Sequence, residues 1–265
     1  MASTKVIVLG DLHLISPDDP DEDRKVRRAH FAQAWPSFRD LVRAIRGEAP
    51  DLVVALGDLV DWYSEPNRDF ARSLLDGMGA PWAATPGNHD LSFSWEGKPE
   101  TDDGDGPAPP RSGWAEAGIE MGNRCIDLDD TRLLLMDSAT SRVPEATVAW
   151  LDETLGDRPR NLLFTHVPLR HDEVASRILA EDPHRNMEKY IQHTDLFGPC
   201  LRGRVDAVYT GHLHFPADLT VEGTRMRMLP LSTRSPLKEY RGQGVTTVLT
   251  FDGQDGWEER EIRAR

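Results

Sequence analysis

Cysteine is scarce in this 265-residue chain: Cys125 and Cys200 are the only two, far apart and with no CxxC pairing. That excludes a disulfide framework and a thiolate zinc cage, so both are read as reduced, mostly buried thiols. Basic residues are also in deficit, with 31 Lys and Arg against 45 Asp and Glu, a formal net charge of −14 and a pI of about 5.1. One basic cluster, Arg24–Arg28, follows the acidic run from Asp18 to Asp23, and the two largely neutralise each other. Long nucleic acid needs a basic face to hold its phosphates, so it is not an expected partner. No apolar run approaches the roughly 20 residues of a membrane span. The first apolar run begins at about Lys5, which leaves no room ahead of it for a signal peptide. A cytoplasmic location is the expectation.

What is present suits a folded α/β chain. Hydrophobic residues make up 38% and charged residues 29%, enough to build a core under a polar surface. Five short apolar runs, Lys5–Leu9, Leu52–Leu56, Pro81–Thr85, Asn161–Thr165 and Val205–Thr210, are bounded by Gly, Pro or polar residues and read as buried strands. Arg132–Asp137, Met226–Leu231, Val245–Phe251 and Glu259–Ile262 are further strands. Phe31, Trp35, Phe38, Leu41, Val42 and Ile45 recur at helical spacing and face a core, with Pro36 either starting a second helix or kinking the first. Asn67 to Gly79 and Pro144–Leu155 are the other helices. Strands and helices alternate early and strands crowd the end. The reading is two sheets packed face to face with helices outside, in one domain spanning 1–265. The stretch 96–111, rich in Pro, Gly and Asp, is expected as a flexible surface loop, either a tolerated insertion or a lid.

Each of the five runs is followed by residues that bind metal ions: Asp11-Leu12-His13, Gly57-Asp58, Gly87-Asn88-His89-Asp90, His166, and Gly211-His212-Leu213-His214. Open α/β sheets bind ligands beyond the carboxyl ends of their strands, where all five blocks fall. Asp11 and His13 converge if the chain turns there, and Asp58 has two oxygens with which to bridge two ions. Asn88 offers a neutral oxygen, and His166, His212 and His214 complete a dinuclear shell. Such a mixture of imidazole and carboxylate suits Mn, Fe, Zn or Ni better than Ca or Mg, with Mn the expected activator in vitro. Two carboxylates against two divalent ions leave net positive charge for a phosphoryl group, which hydroxide on the metals would attack. His89 is left over as general acid, with Asp90 to orient it. Asp61 and Asp137 are candidates to orient ligands, although turn roles are the more ordinary use. Arg170 and His171 are candidates to reach a phosphate. Trp62 and Tyr63 could stack on a base, although core packing is the more ordinary use. His30, His171, His184 and His193 read as surface residues.

The pattern D-x-H, GD, GNH[DE], H and GHxH resembles that of the calcineurin-like metallophosphoesterases, without a departure from Asp11 to His214. The resemblance implies a four-layer αββα sandwich. It places Asp11, His13, Asp58 and His214 around one metal and Asp58, Asn88, His166 and His212 around the other, with His89 and Asp90 assisting catalysis. Gly57-Asp-Leu-Val-Asp61 with Gly87-Asn-His-Asp90 looks like bacterial cyclic-nucleotide phosphodiesterases. The expected activity is hydrolysis of a small phosphodiester such as a cyclic nucleotide. A phosphomonoesterase, a nucleotide pyrophosphatase or a non-catalytic scaffold are the alternatives.

Overall fold

The computed structural model describes residues 3–20, 26–27, 31, 34–98, 110–156, 160–233, 243–253 and 256–264. Two mixed sheets are stacked with helices against their outer faces. The first runs in the order β11-β10-β1-β2-β3, the second β4-β5-β6-β7-β9-β8. In the first, β1 (Thr4–Leu9), β2 (Leu52–Ala55) and β3 (Trp82–Ala84) are parallel, and β10 (Gly244–Phe251) and β11 (Glu258–Ala264) extend it antiparallel. In the second, β5 (Thr131–Met136), β6 (Arg160–Thr165), β7 (Ala207–Thr210) and β9 (Thr224–Met228) are parallel, closed by antiparallel β4 (Arg124–Leu128) and β8 (Ala217–Val221).

Alternation along each strand divides the core into layers, because successive side chains point to opposite faces. Val6 and Val8 of β1 pack inward with Val54, Leu133, Leu135, Leu162 and Phe164 in the layer between the sheets. Ile7 and Leu9 point outward and meet Phe38, Leu41 and Ile45 of α1 (Ala34–Glu48), with Ala71 and Leu75 of α2 (Glu65–Asp76). On the far side, Leu134 and Leu163 meet Leu151 of α4 (Glu145–Thr154) and Val174 and Ile178 of α5 (Asp172–Glu181). Three apolar layers between four layers of elements define the αββα sandwich.

Pro36 lies in the first turn of α1, where a missing N–H costs nothing, and the helix continues through it from Ala34. Ser64 caps α2, its side chain accepting from the Asn67 amide at 3.2 Å. α3 (Pro110–Glu116) takes in the end of the expected 96–111 loop; residues 99–109 of that loop lie outside the described residues, as do Arg24, Arg28 and His30.

Candidate metal centre

The five blocks follow β1, β2, β3, β6 and β7, at one end of the two sheets, and turn sharply there. Seven non-glycine residues among those described have positive φ, and four belong to the blocks: His13 (46°), Asp58 (49°), His212 (68°) and His214 (62°). Left-handed backbone costs such residues on the order of 1 kcal/mol or more and persists only where surrounding contacts enforce it. Those contacts are present. The Asp58 carbonyl accepts from the amides of Leu12 (2.9 Å) and His13 (2.8 Å), tying the first block to the second. Both oxygens of Asp11 accept from the His212 amide (3.1 and 2.9 Å), tying the first to the last. A Cβ at Gly87 would overlap Oδ1 of Asp58, and one at Gly211 would overlap Oδ1 of Asp11. Glycine is therefore required beside the carboxylates because the neighbouring loop passes against them.

Three donor groups result, each with its ligand atoms within 4.8 Å of one another: Asp11, His13, Asp58 and His214; Asp58, His166 and His212; and His13, Asp61 and His89. Asp58 is common to the first two. Its Oδ1 accepts from the His89 amide (2.9 Å), while Oδ2 lies 3.5 Å from Nε2 of His13 and 3.3 Å from Nε2 of His166. Oδ2 thus faces both groups, as a bridging atom would. Asn88 joins the second group, its Oδ1 lying 3.1 Å from Nε2 of His166. Its Nδ2 donates to the Gly97 carbonyl at 2.9 Å, which fixes the amide with oxygen inward.

The outward nitrogen of each buried imidazole settles its tautomer. Nδ1 of His166 donates to the Leu56 carbonyl (2.7 Å), and Nε2 of His212 to the Lys189 carbonyl (3.0 Å). Nδ1 of His13 donates to Oδ1 of Asp61 (2.9 Å). A carbonyl or carboxylate only accepts, so each of these nitrogens carries the proton and the opposite one presents a lone pair. Two of those lone pairs face each other, Nε2 of His166 lying 3.1 Å from Nδ1 of His212; that of His13 faces Nε2 of His214 at 3.1 Å, which also lies 2.9 Å from Oδ2 of Asp11. Opposed lone pairs need a proton or a cation between them. The donor set therefore fits two metal ions.

The titration of the buried groups carries the same message. Burial disfavours a charged His166, but Asp58 and Asp11 outweigh it and raise its pKa to about 9. Burial and the neighbouring His166 push His212 down to about 3. One proton serves the pair, where a cation would serve better. Burial opposes ionisation of Asp11 and Asp58, yet hydrogen bonds and charges from the surrounding imidazoles hold both below the ordinary value.

Around the donors, His89 has a partly exposed ring 4.7 Å from that of His13, and its Nδ1 donates to the Asp61 carbonyl (2.7 Å), which leaves Nε2 as its working atom. Asp90 does not hold this ring. Its two carboxylate oxygens accept from the Val60 (3.1 Å) and Gly87 (2.9 Å) amides, bracing the loops; burial, with the charge of Asp58, raises its pKa to about 7. Asp61 orients both histidines and is itself gripped by Arg27, whose Nε and Nη2 each donate at 2.6 Å. Arg27 had no signal in the sequence beyond its charge. Asp137 instead pairs with Arg111 (2.6 Å) away from the donors. Trp62 and Tyr63 are buried in the core. Arg170 donates to the His193 carbonyl (3.1 Å), and His171 caps α5 by accepting from the Glu173 amide (3.3 Å). Cys200 is buried, whereas Cys125 is exposed.

A two-sheet sandwich carrying Asp/His donor groups with a shared carboxylate at its strand ends defines a class of dinuclear metal hydrolases. Residues 4–216 match the family model of the calcineurin-like phosphoesterases, and the chain belongs to that family. It is a metal-dependent phosphoesterase. It is 26% identical to the 3',5'-cyclic adenosine monophosphate phosphodiesterase CpdA of Escherichia coli, over 99% of this chain and 86% of that protein. It is 32% identical to the glycerophosphodiester phosphodiesterase GpdQ of Enterobacter lignolyticus, over 49% of this chain and 47% of that one. Its fold resembles a dimetal phosphatase from Danio rerio, with a TM-score of 0.61 at 15% identity over 99% of both chains. No described helix is long and apolar enough to cross a membrane.

Proposed function

We propose that the chain is a phosphodiesterase acting on a small diester such as a cyclic nucleotide, with a site that holds two transition-metal ions. Asp11, His13, Asp58 and His214 hold one ion; Asp58, Asn88, His166 and His212 hold the other; Mn, Fe, Zn and Ni all suit these donors. The observation that carries the reading is Oδ2 of Asp58, which faces Nε2 of both His13 and His166. Bound cations would supply charge neutralisation at the phosphoryl group and an acidified water. The chain's own part is to place that group. Nε2 of a protonated His89 gives its proton to the departing oxygen, and the Asp61 carbonyl keeps the ring turned for it.

A diester is favoured over a monoester by the commitments of two described arginines. The second charge of a monoester calls for an extra cation, whereas Arg27 donates to both oxygens of Asp61 and Arg170 to the His193 carbonyl. Two relatives named as diesterases point the same way. The test is kcat/KM for bis-p-nitrophenyl phosphate against p-nitrophenyl phosphate, on metal-stripped protein reloaded with Mn²⁺. A strong preference for the diester is expected. Preference for the monoester would establish the phosphomonoesterase alternative instead.

A further inference from the structure

Two of the left-handed residues of the blocks, His212 and His214, lie in one short loop with φ of 68° and 62°. Leu213 stands between them, its amide donating back to the Gly211 carbonyl at 2.8 Å. Backbone of this kind relaxes unless its surroundings hold it. The Asp11 carboxylate holds the amide side, through the His212 N–H. The carbonyl side is held by Arg185, from the crossover between β6 and β7. Its Nη1 donates to the Leu213 carbonyl at 3.4 Å, and Asp182 balances its charge from 3.7 Å. The same guanidinium lies over two rings, Tyr190 at 4.8 Å and Phe215 at 5.4 Å. Those rings belong to different segments. Phe215 directly follows the His212-His214 loop, whereas Tyr190 ends a short helix, α6 (Met187–Tyr190). The Tyr190 ring is 5.4 Å from that of His212, and the Lys189 carbonyl beside it accepts from Nε2 of His212 at 3.0 Å. Two residues further on, the fully buried Gln192 donates from Nε2 to the Val167 carbonyl and from its amide to that of Pro168, each at 2.9 Å. Val167 and Pro168 directly follow His166, so one segment grips the surroundings of both imidazoles of the second donor group.

We infer that Arg185 is the positioning residue of the second donor group: it braces α6 against the His212-His214 loop and so keeps Nδ1 of His212 turned toward His166. The inference rests on the two-metal site proposed above and adds a residue outside its ligand set. An imidazole offers its lone pair in the right direction only while its other nitrogen is held. For His212 that hold is the Lys189 carbonyl, which stays in reach only while α6 and the loop keep their spacing. Arg185 is the side chain that touches both, through the Tyr190 ring on one and the Leu213 carbonyl and Phe215 ring on the other. A guanidinium suits the task because it lies against aromatic faces and still donates from its edge. Arg177 provides the contrast. It also lies over Phe215, at 5.1 Å, but pairs with Glu181 on its own helix at 3.1 Å.

The test uses Arg185→Met, which keeps the apolar stem and removes the guanidinium, with Arg177→Met as control. In calorimetric titration of metal-stripped protein with Mn²⁺, Arg185→Met should weaken one equivalent about tenfold or more and spare the other. Arg177→Met should match wild type. Combined with Asp61→Asn, which acts through His13 of the first group, Arg185→Met should weaken both equivalents. A second readout needs no metal. Long-range ¹H–¹⁵N spectra of the stripped protein should show His212 as a single Nε2–H tautomer in wild type and as a mixture in Arg185→Met. Unaltered Mn²⁺ affinities in Arg185→Met, a loss shared equally by both equivalents, or an unchanged His212 tautomer would overturn the inference. Should Arg185→Met fail to fold, Tyr190→Leu removes the ring that Arg185 and His212 share and should weaken the same equivalent; unaltered affinities there would overturn it too. A wild type that binds fewer than two Mn²⁺ ions would overturn the two-metal reading itself, whereas two ions bound equally well by wild type and variant would overturn only the role of Arg185.

Discussion

Residues at this site divide into those that carry donor atoms and those that aim them. The first kind is legible in sequence, because Asp, His and Asn in fixed short blocks have few other reasons to recur after every early strand. The second kind is not. Asp61 looks like any strand-end carboxylate, yet it holds Nδ1 of His13, presents its carbonyl to Nδ1 of His89 and is clamped by Arg27. Burial opposes its charge, but the Arg27 and His13 hydrogen bonds prevail and bring its pKa to about 2. Such a carboxylate raises the basicity of the imidazole it touches. Asp61→Asn keeps the shape and removes the charge, and should weaken binding of one metal equivalent about tenfold to a hundredfold while sparing the other. Calorimetric titration of stripped protein with Mn²⁺ separates the two equivalents; an equal effect on both would contradict an action through His13. His89 lies beside the same cluster, its ring 4.7 Å from that of His13. His89→Ala should retain both metals by elemental analysis and lose about 100-fold or more in kcat for alkyl leaving groups, with a much smaller loss for p-nitrophenol. Equal losses would remove the general-acid role. The expectation that Asp90 orients His89 fails for a reason sequence hides: adjacent residues on a tight turn send their side chains apart, and the Asp90 oxygens meet the Val60 and Gly87 amides.

At the scale of elements, what could be read was set by burial. The strands of the sheet interiors are apolar on both faces and announce themselves, and β1, β2, β3, β6 and β7 fall where expected. β4 and β8 carry no such signal because they close the two edges of their sheet: no residue of β4 is buried, and β8 buries only Ala217 and Val221 at its ends. α5 carries little because Val174 and Ile178 alone face the core, one turn apart. The loops after the strands are a different matter, since their conformations are imposed by one another across the site. Gly211 shows this. Its neighbours in sequence do not demand glycine, but Asp11, 200 positions away, places Oδ1 where a Cβ would stand. Gly211→Ala should therefore displace Asp11, reduce bound metal to one equivalent or fewer and lower Tm by several degrees. Gly122→Ala, with nothing within 4 Å of its added methyl, should change neither. Metal stoichiometry and thermal melts on the two variants make the comparison. A Gly211→Ala protein that binds two ions would show that the loops relax more easily than the close approach implies.

Over the whole molecule, folding gathers ionisable groups that repel unless something positive lies among them. His13 and His214 touch across 201 residues and His166 and His212 across 46, distances in sequence that no local pattern encodes. In the metal-free protein the positive charge is supplied by protons. His13 and His166 are both raised above the ordinary imidazole value because, although burial opposes their charge, Asp58 with Asp61 or Asp11 favours it. The sign follows from linkage. A pKa raised in the folded state stabilises it fully below the unfolded value of about 6.5, and the benefit is lost as pH rises through about 9 for His166. A metal ion needs the neutral imidazole and displaces that proton, so its apparent affinity climbs over the same interval, by at most about tenfold per pH unit for each proton released. His212, already neutral with its pKa near 3, releases none. Both describe the same proton: as metal-free protein loses its contribution from pH 6.5 to 9, the loaded form gains relative to it. The rise in Tm on adding saturating Mn²⁺ should accordingly be smallest near pH 6.5 and grow steadily toward pH 9, and calorimetry in buffers of different ionisation enthalpy should record proton release on binding that falls away above pH 9. A Tm increment that stays flat across this interval would mean that the cation enters without displacing the His166 proton, and the assignment of His166 as a metal ligand would have to be abandoned.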